Sequence, residues 1–344
     1  MRAKPRSLAG LTKSAAQIIQ TETLPKLAAM RPLLVLALLL ILAPAASAGA
    51  FPDKGNPRQA QVRHLATNDG DRTYLVQPVA AAGHHPIVIL LHGGTQTAQQ
   101  IWRQTSLPTL GQQEGFIVVA PQGVNDHWND GRGATIAGDK ASTADDIGFI
   151  KAIIYDVTAR DGGDATAVFI AGPSNGGFMA MYFACQAGSL LRAGANLIAN
   201  LPADQLAACK PAKPLPWLSL NGTDDPLVPF NGQPSGVKKR GQVQPALASA
   251  DQTFAFWADR AGCAAPISSE KLPDLDPRDG SWVERRLRAG CAGGTTSVQY
   301  VVHGGGHITP GLTVGPVIAR MLGGANQDID TGTVLWAHFK ATLR

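Results

Sequence analysis

The sequence predicts an α/β protein with a mostly parallel, doubly wound sheet, helices on both faces and a single domain. Short apolar runs alternate with segments of helical periodicity from Tyr74 to the C-terminus, which is typical of strands joined by helical crossovers. No internal repeat or low-complexity linker divides this region. The chain has 344 residues, of which 44% are hydrophobic, so it can bury a sizeable core.

The first half of the predicted domain contains three strands and one long helix. Buried strands are predicted at 86–94 and 115–123, each ending at a glycine turn. Segment 144–160 repeats apolar residues at three- and four-residue steps and predicts a helix. These apolar residues are Ile147, Ile150, Ile154 and Val157. The next strand is predicted at 166–172.

The second half begins with an apolar segment of helical spacing, up to Cys185, which predicts a helix. A segment that we interpret as rich in loops follows, up to about residue 214. A strand is predicted at 215–222, a helix at 253–263 and strand character at 281–291 and 296–303. A closing helix is predicted at 332–343. In doubly wound sheets, ligands bind at the carboxyl ends of the strands, which is where the polar turns of this sequence fall.

The N-terminal part has the pattern of an export signal. The apolar run 33–45 follows Met30 and Arg31 and precedes Ala46-Ser47-Ala48, a small-x-small cleavage pattern. The run is short for a membrane helix, which needs roughly 20 residues. We therefore predict a signal segment at 1–48, with translation starting either at Met1 or at Met30, and a catalytic domain at 49–344. An uncleaved anchor is the alternative; we expect a secreted or periplasmic protein without a stable membrane anchor.

The net charge of +5 resides in this leader, because six basic residues and Glu22 precede Gly49 and the remaining chain balances to zero. The absence of net charge after the leader argues against nucleic-acid binding.

The four cysteines all follow the leader, and in an oxidising compartment an even number favours disulfides. Their order favours two local bridges, Cys185–Cys209 and Cys263–Cys291, although three pairings are possible. No His or Cys cluster has zinc-ligand spacing, so we expect no metal site.

A candidate nucleophile lies between the third strand and a following apolar segment. Gly172-Pro173-Ser174-Asn175-Gly176 fits the Gly-x-Ser-x-Gly elbow, in which a sharp strand-to-helix turn exposes a serine oxygen. A serine needs a neighbouring base to become nucleophilic. Without such partners, Ser174 would be a small polar residue in a glycine-rich connection.

Candidate partners follow in the order acid, then base. Asp224 and Asp225 come directly after the strand at 215–222, although a lone aspartate in a turn usually caps backbone. His303 ends a later strand and His307 follows in a glycine-rich loop. A carboxylate can orient the imidazole, which then acts as general base.

An oxyanion formed during acyl transfer needs preorganised N–H donors. We expect these to be the backbone amides of Asn175, which follows the nucleophile, and Gly94, in the glycine loop after the first strand. Trp102 and Trp128 either line an acyl pocket or pack in the core. This chemistry requires no cofactor.

Five ordered segments resemble the secreted α/β-hydrolase family of poly(3-hydroxybutyrate) depolymerases and related feruloyl esterases. They are LHGGTQTA, DDIGFI, GPSNGGFMA, NGTDDPLVPF and GGGHITPG. The resemblance implies Ser174 as nucleophile, Asp225 rather than Asp224 as acid and His307 rather than His303 as base. Two positions depart from the family pattern: its Cys after His-Gly is Gly94 here, and its Trp two residues after the catalytic His is Thr309.

The resemblance implies a serine carboxylic-ester hydrolase, most similar to the polyester depolymerases, whose partner is an ester substrate. A feruloyl or acetylxylan-type cell-wall esterase is the alternative substrate class. A serine peptidase or a non-catalytic binding protein on the same fold are further alternatives. The sequence does not determine the oligomeric state.

Overall fold

A ten-stranded mixed sheet with helices on both faces organises the protein. The computed structural model describes residues 51–133, 141–239 and 241–344. The predicted signal segment 1–48 lies outside the described residues. No helix among the described residues is long and apolar enough to cross a membrane.

The strands of the described residues are, in chain order, β1 (Gln61–Thr67), β2 (Gly70–Gln77), β3 (His85–Leu90), β4 (Ile117–Pro121), β5 (Gly163–Pro173), β6 (Ala193–Leu197), β7 (Trp217–Gly222), β8 (Lys238–Lys239), β9 (Gln242–Val243), β10 (Ser268–Lys271), β11 (Trp282–Arg288) and β12 (Ser297–His303). The α-helices are α1 (Ala98–Gln104), α2 (Leu107–Glu114), α3 (Asp146–Asp161), α4 (Asn175–Ala187), α5 (Gln205–Ala208), α6 (Ala250–Arg260), α7 (Pro316–Met321) and α8 (Thr331–Ala341).

The strand order is β1-β2-β4-β3-β5-β6-β7-β12-β11-β10, and β8 and β9 form a separate hairpin. The six central strands, from β4 to β12, are parallel, which confirms the predicted parallel sheet. Two antiparallel strands extend it at each edge. The carboxyl ends of β3, β5, β7 and β12 therefore lie along one edge, where the polar turns meet.

Alternating side chains of the central strands build two hydrophobic clusters, one on each face. Ile87 and Ile89 of β3 join the cluster that includes α3 and α4. Val88 and Leu90 of the same strand join the cluster that includes α2 and α8. This alternation is the period-two pattern of a strand buried on both faces.

Strand β6 corrects the prediction, because the segment before residue 215 was interpreted as loop. Its sequence Ala-Gly-Ala-Asn-Leu has low strand propensity, yet all five residues are buried in the centre of the sheet. The small residues have a packing reason, since a Cβ at Gly194 would lie 2.3 Å from the indole ring of Trp217 on β7.

Both predicted disulfides are present, Cys185–Cys209 and Cys263–Cys291. The first joins α4 to the residue after α5, and the second joins the segment after α6 to the segment after β11. Each bridge therefore fastens a connection between neighbouring elements of the sheet.

Candidate active site

Ser174 lies on a strained turn between β5 and α4. Its φ is 52° and its ψ is −123°, a conformation that costs a non-glycine residue of order 1–3 kcal/mol. A Cβ at Gly176 would lie 2.5 Å from the carbonyl oxygen of His92, so only glycine fits at this position. The amide of Ser174 donates to the carbonyl of Leu197 at 2.9 Å, which ties the turn to β6.

His307 connects Ser174 to Asp225. Its Nε2 lies 2.9 Å from Oγ of Ser174, and its Nδ1 lies 2.7 Å from Oδ2 of Asp225. The carboxylate beside Nδ1 favours the tautomer with a proton on Nδ1, which leaves Nε2 to accept the serine proton. The side chain of His307 is 9% exposed, and that of Asp225 is buried, at 1%.

The backbone fixes Asp225, because the amides of Leu227 and Val228 both donate to its Oδ1 at 2.8 Å. The alternative acid, Asp224, is exposed and accepts from the hydroxyl of Thr223. The alternative base, His303, stacks on Trp282 with ring centroids 3.9 Å apart. The structure thus brings Ser174, His307 and Asp225 together and leaves Asp224 and His303 outside the arrangement.

The two amides expected to stabilise an oxyanion, those of Gly94 and Asn175, have no acceptor among the described residues. The neighbouring amide of Gly93 instead donates to Oε1 of Gln96 at 3.0 Å. A Cβ at Gly94 would lie 3.3 Å from the ring of His127. His127 therefore occupies the space beside the position where the resembling family has cysteine.

Buried His92 fixes the peptide plane that carries the Gly94 amide. Its Nε2 accepts from the amide of Gly123 at 2.9 Å, so its proton is on Nδ1, which donates to the carbonyl of Gly93 at 2.8 Å. The Gly93 carbonyl and the Gly94 amide belong to one planar peptide group. Burial lowers the pKa of His92 to about 4, so the ring is neutral at pH 7.

The side chain of Asn175 ties the serine turn to the loop after β4. Its Oδ1 accepts from the amide of Trp128 at 2.8 Å, and its Nδ2 donates to Oδ2 of Asp130 at 2.6 Å. The indole of Trp128 donates to the carbonyl of His92 at 2.8 Å. Trp102 and Trp128 are both buried, and neither lines the cavity beside Ser174 and His307. These supporting contacts were missed by the sequence analysis, because loop residues that bond to backbone have no periodic pattern.

A cavity of about 410 Å³ opens beside Ser174 and His307. Its polar lining residues include Gln96, Gln104, His127 and Arg132. Its apolar lining includes the aliphatic side chains Ile198, Leu227, Ile308, Leu312, Val314, Ile318 and Leu322. The volume and the mostly apolar lining fit a small-molecule site with a few polar groups. Among the described residues, no group of three or more His, Cys, Asp or Glu could hold a metal ion.

Backbone strain concentrates around this cavity. In the described part of the chain, the non-glycine residues with positive φ are Thr95, Asn125, Asp126, Ser174 and Ile198. Three of them line the cavity, and the other two directly precede His127, which also lines it. Such clustering is typical of functional sites.

Comparison with known proteins identifies similar esterases. Residues 71–199 match the family described as Esterase PHB depolymerase. NocK of Nocardia uniformis subsp. tsuyamanensis, named as an esterase, is 28% identical over 252 residues, 72% of this chain and 71% of that protein. Feruloyl esterase B of Piromyces equi is 28% identical over 231 residues, 65% of this chain. The aligned part is 38% of the length of that enzyme.

Among solved structures, an acetyl xylan esterase from Aspergillus awamori aligns with a TM-score of 0.50 and 15% identity. The alignment covers 72% of this chain and 94% of that one. This similarity confirms the α/β-hydrolase fold that the sequence resemblance implies.

Proposed function

We propose that this chain, a carboxylic-ester hydrolase similar to the poly(3-hydroxybutyrate) depolymerases and feruloyl esterases, acts through a Ser174-His307-Asp225 triad. The observation that carries the proposal is the continuous series of contacts from Ser174 Oγ to His307 at 2.9 Å and from His307 to Asp225 at 2.7 Å. A serine, an imidazole and a buried carboxylate in this order form the arrangement of serine hydrolases.

In the first half of the reaction, Ser174 Oγ attacks the ester carbonyl carbon while His307 Nε2 takes the hydroxyl proton. The resulting oxyanion accepts hydrogen bonds from the amides of Gly94 and Asn175. Asp225 stabilises the imidazolium. The bond from the carbonyl carbon to the alcohol oxygen then breaks, and His307 gives its proton to the leaving alcohol.

In the second half, water attacks the acyl-Ser174 ester and gives a proton to His307. Collapse of the second tetrahedral intermediate breaks the acyl–Oγ bond, and His307 returns the proton to Ser174. The products are the free acid and the alcohol, and the enzyme regains its starting state. No oxidant, reductant or cofactor enters this balance.

The decisive test compares S174A with S268A, which changes an exposed serine on β10. We expect S174A to lose hydrolysis of p-nitrophenyl butyrate by about 10⁴- to 10⁶-fold and to lose labelling by a fluorophosphonate probe. S268A should keep both, and circular dichroism should show that both variants fold. Retained turnover in folded S174A would contradict the triad, and cleavage of casein by the wild type would favour a peptidase.

For the substrate we propose a polyester or oligoester of 3-hydroxybutyrate, as the family description suggests. Feruloyl or acetylxylan-type esters are the alternative, since relatives are named feruloyl esterases. Thr309, which lines the cavity, stands where the resembling family has Trp, so the substrate preference of that family does not carry over directly. Release of 3-hydroxybutyrate from amorphous polymer, compared with release of ferulate from a feruloylated sugar, discriminates between them.

We also propose export through the segment 1–48, supported by its signal pattern and by two disulfides, which persist in oxidising compartments. Sequencing the N-terminus of the protein recovered from a secreting host should give a start near Gly49. Recovery of a chain that retains residues 31–48 would contradict cleavage.

A further inference from the structure

Arg132 lines the cavity beside Ser174 but has no part in the proposed ester chemistry. Its side chain is only 3% exposed. A guanidinium is charged at every accessible pH, and burying it is costly unless its donors are paired. Its presence in a cavity that seven aliphatic side chains also line therefore calls for a binding role or a strong structural reason.

Two contacts lock the orientation of Arg132. Its Nε and Nη2 donate to Oδ2 of Asp130 at 3.0 and 2.6 Å, and its guanidinium carbon lies 3.6 Å from the ring centre of Phe178. The same Asp130 oxygen accepts from Asn175, the residue after the nucleophile. The guanidinium is therefore held at a fixed position relative to Ser174.

These contacts leave one end of the guanidinium available. Nη1 has no acceptor in the described ranges, and it is not among the buried side-chain nitrogens there that lack both solvent and a partner. Since the side chain is buried and lines the cavity, Nη1 reaches solvent through the cavity. It presents hydrogen-bond donors to whatever occupies the acyl site.

We propose that Arg132 determines acyl specificity by donating from Nη1 to a second carbonyl oxygen, carried on the acyl chain beyond the scissile ester. Asp130 balances the charge of Arg132, and seven aliphatic side chains line the same cavity. This combination favours a neutral carbonyl over a carboxylate, whose desolvation would be more costly. The assignment rests on the proposed function, because it supposes that the acyl group of an ester occupies this cavity.

The experiment measures kcat/KM for two matched pairs of p-nitrophenyl esters. One pair is the pentanoate and the 4-oxopentanoate, and the other is the hexanoate and the 5-oxohexanoate, with hydrolysis in the presence of S174A subtracted as background. The variants are R132K, which keeps a cation beside Asp130, and D130N/R132M, which removes both charges so that none is buried unpaired. R103K, an exposed arginine on α1, is the matched control.

We expect the wild type and R103K to favour at least one oxo ester over its parent by about tenfold, the usual effect of a hydrogen bond to a charged donor. In R132K and D130N/R132M this ratio should fall to near one. The ratio separates recognition of the second carbonyl from a merely structural effect, because a structural effect would lower kcat/KM for both esters of a pair by the same factor.

A ratio near one in the wild type for both pairs would overturn the assignment, as would an unchanged ratio in both Arg132 variants. A stronger preference for the p-nitrophenyl hemisuccinate than for either oxo ester would overturn the choice of a neutral carbonyl. Fluorophosphonate labelling of Ser174 distinguishes a failure of the Arg132 assignment from a failure of the proposed function. Labelling with a ratio near one refutes this assignment alone, whereas no labelling and no turnover of any ester refute the proposed function and the assignment with it.

Discussion

Two buried histidines should make the stability of this protein fall in mild acid. His92 is fully buried, and His338 on α8 is 6% exposed. Burial lowers the pKa of each imidazole to about 4. In His338 a hydrogen bond to the carbonyl of Pro216 opposes this effect only in part, and its Nε2 has no partner among the described residues.

The direction of the effect follows from proton binding. An unfolded histidine has a pKa of about 6.5, so between about pH 6.5 and pH 4 the unfolded chain binds more protons than the folded one. Stability is therefore complete above about pH 6.5 and is lost as the pH falls toward 4. Relative to pH 8, each histidine should lower the free energy of unfolding by about 2 kcal/mol at pH 5 and by about 3 kcal/mol at pH 4.

The perturbation is H338Q, which keeps a side-chain donor for Pro216 and removes the titrating ring. His338 does not line the cavity, so the variant separates stability from catalysis. Urea unfolding followed by circular dichroism at pH 8 and pH 5 gives the loss of stability for each protein. We expect this loss to be about 2 kcal/mol smaller in H338Q than in the wild type, whatever the stability of the variant at pH 8.

The control is H84Q, because His84 is exposed. The free energy of unfolding of this variant should fall between pH 8 and pH 5 by as much as that of the wild type. An equal loss in H338Q and the wild type would refute the reasoning. It would mean that the folded state admits a protonated imidazole at position 338 without cost.

D225N should lower kcat for p-nitrophenyl butyrate by about 10⁴-fold, because an amide no longer selects the His307 tautomer with a proton on Nδ1; a loss below tenfold would contradict the role of Asp225. I198A should raise the ratio of kcat/KM for octanoate over acetate by about tenfold, since Ile198 lines the cavity; a constant ratio across the p-nitrophenyl ester series would place the acyl chain elsewhere. Replacing Cys263 and Cys291 together by Ala should lower the free energy of unfolding by about 3.5 kcal/mol, from the 28-residue separation of the bridge; a loss below about 1 kcal/mol in urea unfolding would argue against a simple chain-entropy effect.

The parallel centre of the sheet could be predicted because its strands are buried on both faces and read as continuous apolar runs. The two edge strands, β1 and β10, could not be predicted in this way. All four residues of β10 are exposed, and β1 has no buried residue, so neither has a hydrophobic pattern that stands out. Strand β6 was missed for the opposite reason, since close packing against Trp217 requires small residues there.

The position and order of the serine, acid and base candidates were visible in the sequence because each follows its own strand. The choice between the adjacent Asp224 and Asp225 was not visible in that pattern, and only the family resemblance favoured Asp225. The structural difference is that two backbone amides fix Asp225 beside His307, whereas Asp224 is exposed. Arg132 and Asp130 were missed, because an ion pair two residues apart in a loop has no distinguishing spacing.

The strained residues around the cavity imply a trade-off between thermal stability and catalytic rate. Thr95 and Ile198, which are both β-branched, hold a positive φ, and each such residue costs of order 1–3 kcal/mol. Glycine at either position would relieve that strain, although at Ile198 the gain is offset by lost apolar burial. A laboratory selection for heat resistance alone should therefore accumulate substitutions at these strained positions, and the selected variants should be slower esterases.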